Sequence, residues 1–178
     1  MANPEIESEL DGIDRLSVCF YRLGLSLAAL LLVCRGASLL SGQDFLAPSV
    51  WLTALVVASG VCGLCLHVYD KRMRFILQVF AWGGLVLSAS GAPEVMVLGA
   101  SLAMLSGLAF KEQFCFAIPG IKALPLLLPL LWGLEWVQLG WAAAPVALAC
   151  GLLLGLLCLA KWRMPLHFDI GDKGRYQI

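Results

Sequence analysis

Long apolar runs separated by short polar breaks dominate this chain. A membrane-spanning helix needs about 20 predominantly apolar residues. Six runs approach that length: Ser17–Leu40, Val50–Tyr69, Phe75–Ser90, Val95–Phe110, Ala123–Leu139 and Trp141–Ala160. They predict an all-α, polytopic transmembrane helical bundle of about six spans. Three parts follow: an acidic N-terminal tail (1–16), a six-helix domain (17–160) and a polar C-terminal tail (161–178). Pro93 suits the first turn of the fourth helix, where a missing N–H costs nothing. Pro125 and Pro129 lie one turn apart in the fifth and predict a kink, which frees carbonyls that neighbours must satisfy.

Small residues recur every fourth position at Gly99, Ala103 and Gly107, at Ala147, Gly151 and Gly155, and at Ser59 and Gly63. Such stripes let helix backbones approach closely. Packing inside the bundle is the favoured reading and a homo-oligomer interface the alternative. No internal repeat is evident, so an inverted-repeat transporter gains no support.

Charge orients the bundle. Of the 12 Lys and Arg residues, all but Arg35 fall on the side of the two termini. The positive-inside rule then places both termini, the Asp70–Arg74 loop and the Lys111–Lys122 loop in the cytoplasm. Tyr21, Tyr69 and Trp162 sit at those helix ends, and Trp51, Trp132, Trp136 and Trp141 at the others, as aromatic belts require. Trp82 falls mid-span and is expected to pack against a neighbouring helix. The first residues are acidic, so no cleavable signal peptide is expected.

Composition agrees with lipid as the solvent: 61% of the 178 residues are hydrophobic and 13% charged, with a mean hydropathy of +0.89. The formal net charge of zero gives no support to nucleic-acid binding. The seven cysteines are odd in number and mostly within apolar runs, which argues against a disulfide framework.

Ionisable residues within a membrane are functional candidates by default. Arg35 and Glu135 lie at similar depth toward the non-cytoplasmic side, with Glu94 a third partner. Together they form a candidate intramembrane polar site; the blander reading is a structural ion pair or snorkelling side chains. Cys62, Cys65 and His67 are a weaker cluster. Cys62 and Cys65 share a helix face, but His67 points roughly opposite to Cys65, so no metal site is expected. Phe110, Lys111, Glu112, Phe114 and Phe116 form a candidate cytoplasmic docking segment for a partner or lipid headgroup, or simply an interfacial anchor. No nucleotide-binding, zinc-protease or hydrolase motif is present, so no catalytic residue, cofactor or enzymatic activity is expected.

The stretch from Gly107 to Phe116 and the tail from Phe168 to Lys173 resemble a family of integral membrane proteins of unknown function found largely in cyanobacteria. That resemblance implies a prokaryotic, photosynthetic source and a plasma or thylakoid membrane, and brings no activity or ligand with it. The six-span layout in under 200 residues is also similar to the substrate-binding components of energy-coupling vitamin transporters.

The leading expectation is therefore a non-enzymatic accessory, assembly or scaffold subunit, whose partners are the lipid bilayer and another membrane protein or a second copy. The alternative is a small-solute transporter or its substrate-binding membrane subunit, with Arg35, Glu94 and Glu135 lining a pocket. A membrane thiol redox protein built on Cys62 and Cys65 is the weakest.

Overall fold

Every apolar run folds as a helix in the computed structural model, which describes residues 10–171. Local signals set the boundaries. The first helix, α1 (Gly12–Ser41), begins five residues before the predicted start because Asp11 and Asp14 form a reciprocal capping box, so the end of the acidic tail is helical. It stops at Gly42, whose φ of 67° closes the last turn. The second, α2 (Pro48–Leu64), opens on a proline and ends five residues short of the predicted Tyr69, leaving His67 off the helix. The third, α3 (Lys71–Ala89), is capped by the Asp70 carboxylate, which accepts from Met73 N–H at 2.8 Å. Pro93 precedes α4 (Glu94–Glu112) as its cap residue; it does not occupy the first turn, where the sequence reading put it.

A 3₁₀ turn (Ile121–Ala123) leads into α5 (Leu124–Trp136). With 13 residues, α5 rises only about 20 Å at 1.5 Å per residue. Pro129 has no N–H to give the Pro125 carbonyl one turn earlier. The Ser106 hydroxyl on α4 donates to that carbonyl at 2.8 Å, which is the compensation a membrane kink requires. The longest return helix is α6 (Gly140–Trp162), followed by a single turn, α7 (His167–Ile170). Among the described residues, α1, α4 and α6 are long and apolar enough to cross a membrane.

The helices alternate in direction, so one end of the bundle, here the terminal end, holds the start of α1 and the close of α6. The other is the distal end. α1 packs most extensively on α6, because glycines on each remove the side chain that would separate them. A methyl at Gly36 would strike Leu148 and Ala144, and one at Gly151 would strike Val33 and Ala29. Gly107 receives Leu77 of α3, Gly63 abuts Ala81, and Gly99 lies under the Trp132 ring. Ser59, Gly63, Gly107, Ala147 and Gly151 are thus packed inside the chain, whereas Gly99 and Ala103 border an open apolar groove and Gly155 meets nothing within 4 Å. Leu25, Leu32, Leu55, Met104, Leu105 and Leu154 form the centre of the core.

Trp82 departs from expectation. It is 48% exposed and faces outward, in the company of Phe80, Val86, Leu152 and Leu159 on the bundle's outer surface. An apolar exterior this extensive belongs in lipid.

Candidate functional site

Two ionic centres occupy opposite ends of the bundle. At the distal end, α1 and α5 bring Arg35 and Glu135 together. Arg35 Nε donates to one Glu135 oxygen at 2.8 Å and Nη2 to the other at 2.7 Å. This fork-to-fork geometry is the strongest form of an ion pair. The guanidinium lies 5.2 Å from the Trp51 ring centroid, and Trp51 is held by its indole N–H donating to Leu31 C=O at 2.8 Å. The pair flanks a cavity of about 330 Å³, also lined by Trp51, Glu94, Trp136 and Gln138. Three of the residues singled out in the sequence, Arg35, Glu94 and Glu135, therefore meet around one space. Glu94 joins neither partner in an ion pair, although it acts electrostatically on Arg35. Gln138 has a φ of 57°, the sole positive value for a non-glycine among the described residues. It occupies the left-handed position after α5, with Leu139 N–H reaching back to Leu134 C=O at 2.9 Å. Glycine usually fills that role.

At the terminal end the sequence reading is corrected. Arg22 near the start of the first apolar run, Lys161 and Asp169 of the polar C-terminal tail, and Glu112 of the docking segment are all buried. Asp169, on α7, accepts from Arg22 Nε at 2.7 Å and from Lys161 Nζ at 2.5 Å. Glu112 takes the Tyr21 hydroxyl at 2.9 Å and pairs with Lys161 at 3.1 Å and Lys111 at 3.2 Å. Arg22 also donates to the carbonyls of Met164 and Pro165. The network ties α1, α4 and α6 to the chain beyond α6. Residues 163–171 are consequently folded back on the bundle and are not a free extension; residues 172–178 of the predicted tail lie outside the described residues.

The docking segment splits accordingly. Phe110 and Phe114 are exposed and pack edge to face at 5.3 Å. Phe116 turns inward beneath the Lys161 ammonium, 5.2 Å from its ring centroid, and Lys111 lies over the Tyr21 ring at 5.8 Å. Arg22 interrupts an apolar helix just as Arg35 does, and that was the signal available for it. Nothing local marked Asp169 or Gln138.

The cysteine cluster does not assemble. Cys62 is buried with its thiol facing the Tyr21 carbonyl at 3.7 Å, and every cysteine is a free thiol. His67 sits in the α2–α3 loop, its Nε2 3.5 Å from the Ser17 hydroxyl. Burial, then the nearby Lys111 charge, lowers its pKa below the ordinary histidine value.

A chain whose described residues form only helices, with an apolar exterior and its charges gathered at the two ends, is a helical integral membrane protein. Residues 85–178, just over half the chain, match the family described as uncharacterized integral membrane protein (DUF2301), and the chain belongs to that family. A protein of Haemophilus influenzae described as uncharacterized is 39% identical over 179 residues, covering all of both chains. That relative leaves the expected cyanobacterial bias without support. No solved structure matches the chain.

Proposed function

We propose that this protein is a non-enzymatic, solute-binding membrane protein whose binding site is the distal cavity between α1, α2, α4 and α5. The observation carrying this reading is the convergence of Arg35, Glu94 and Glu135 with Trp51 and Trp136 on one space. A purely structural ion pair needs no cavity beside it. The volume falls at the low end of the roughly 300–1,000 Å³ of small-molecule sites. The accessory or scaffold role, favoured from sequence, rested partly on small-residue stripes; most of those positions pack within the chain, which weakens that support. The thiol redox reading loses ground because Cys62 is fully buried.

In this reading all six long helices line one transmembrane unit, with α5 completed by its 3₁₀ lead-in, and the terminal end faces the cytoplasm. The gathering of basic residues at that end, several of them buried, supports this orientation. The cavity then opens toward the non-cytoplasmic side of a bacterial membrane, and solute would enter without passing the terminal ionic network.

Native mass spectrometry of the gently purified full chain tests the proposal. The expected result is a small molecule bound to the wild type and depleted in the Arg35→Gln/Glu135→Gln double variant, which removes the bridge that shapes the cavity wall without leaving either partner of the pair alone. A stable protein partner with no bound small molecule would return the scaffold role to first place.

A further inference from the structure

The distal cavity has a charge imbalance that selects its ligand. Arg35 contributes one positive charge and Glu94 and Glu135 two negative ones, leaving one negative charge on the lining. Arg35 cannot serve a bound anion well. Two of its donors are committed to Glu135, and one of its faces is covered by Trp51. Glu94 is exposed in the first turn of α4. The positive end of the α4 dipole offsets part of its charge, which favours a singly charged ligand over a divalent cation. On the same lining, Trp136 is 60% exposed and supplies the aromatic face that cations prefer. Gln138 adds a neutral amide to the same lining, held in a left-handed backbone conformation that L side chains rarely adopt.

We infer that the cavity takes a small organic monocation of the alkylammonium class, seated between the Glu94 carboxylate and the Trp136 ring, with Gln138 orienting it. This rests on the solute-binding reading above and names the ligand class of the same site. The volume of about 330 Å³ admits a molecule the size of choline. A compact trimethylammonium group suits the site because it needs no hydrogen-bond acceptor that Arg35 has already claimed.

The test compares choline, tetramethylammonium and methylammonium with 3,3-dimethylbutan-1-ol, the uncharged isostere of choline, and with acetate. Binding to the full chain in lipid nanodiscs is read by calorimetry and tryptophan fluorescence. At least one cation is expected to bind about ten-fold more tightly than the isostere, and Glu94→Gln to lose about ten-fold in affinity, the size of one ordinary charge-assisted contact. Because Glu94 is exposed, an unchanged melting temperature would show that the variant remains folded. Equal binding of choline and its isostere, or full cation affinity in Glu94→Gln, would overturn the cation assignment and leave solute binding standing. Binding of acetate alone would do the same. If none of the five probes binds and native mass spectrometry finds no solute in the wild type, both proposals fail together.

Discussion

At the terminal end, Arg22 and Asp169 are sealed, with side-chain exposures of 1% and 2%, and each charge of the buried network has an opposite charge beside it. At the distal end, Arg35 and Glu135 make an equally well-formed pair but keep 21% and 13% exposure and border open space. The ingredients are alike and the surroundings differ. A sealed network is costly to assemble, since each charge loses its water, and it is repaid only if every member stays partnered. It therefore acts as a clamp that fixes where residues 163–171 dock. The distal pair retains access to water and to whatever enters the cavity. Charge buried without space reads as architecture, and charge beside space reads as recognition.

The largest effect should come from breaking the clamp. Asp169→Asn leaves Arg22 and Lys161 without their shared carboxylate, and breaking a buried pair costs about 3–5 kcal/mol. Thermal unfolding in detergent should show a large fall in melting temperature, and limited proteolysis should open the segment at 163–171. A variant that melts like the wild type would mean that the network does not hold this segment. The same kind of change at the distal end should cost far less. Glu135→Gln alone is expected to lose about 1 kcal/mol, the upper range for a partly solvated pair, and adding Arg35→Gln should recover part of that. If Glu135→Gln proved as damaging as Asp169→Asn, the distinction between clamp and recognition site would fall.

Gln138→Gly sharpens the comparison from the opposite direction. Relief of the left-handed backbone is worth about 1–2 kcal/mol, and the added freedom of glycine in the unfolded chain takes back about 0.4–1 kcal/mol. A net gain of roughly 0.5 kcal/mol in unfolding experiments, together with weaker ligand binding, would identify Gln138 as a residue kept for the cavity at the expense of stability. The smallest effect concerns His67. Its folded pKa is lowered by burial and Lys111, so the unfolded chain takes up the proton first as pH falls. Its contribution is therefore fully present above the unfolded value of about 6.5 and declines as pH drops through it. His67→Gln should flatten that part of the stability–pH curve, and an unchanged slope would remove His67 from the account.

Helix number and order were legible in the sequence because apolar run length is dictated by what lipid tolerates, independently of how the helices meet. The ends were less so: Asp11 with Asp14, and Asp70, start their helices four or five residues before the apolar runs do, since capping depends on single side chains that an average over a run does not register. Arg35, Glu94 and Glu135 were found for a sound reason, as charges near helix ends on the side with few others. Arg22 and Lys161 did not stand out because the positive-inside argument uses only which side a basic residue lies on, and not whether it is buried.

By itself, then, the sequence determined the helical class, the order of the apolar segments, the gathering of positive charge at one end and the small-residue faces available for close packing. Those depend on composition and on separations of a few residues along the chain. Tertiary packing alone brings Asp169 to Arg22 across 147 positions, fills most of the glycine positions within the chain, and sets the distal charges, but not the terminal ones, around an open cavity. Whether a buried charge finds a partner or a space is settled by where helices distant in sequence come to lie, and no local pattern encodes that distance.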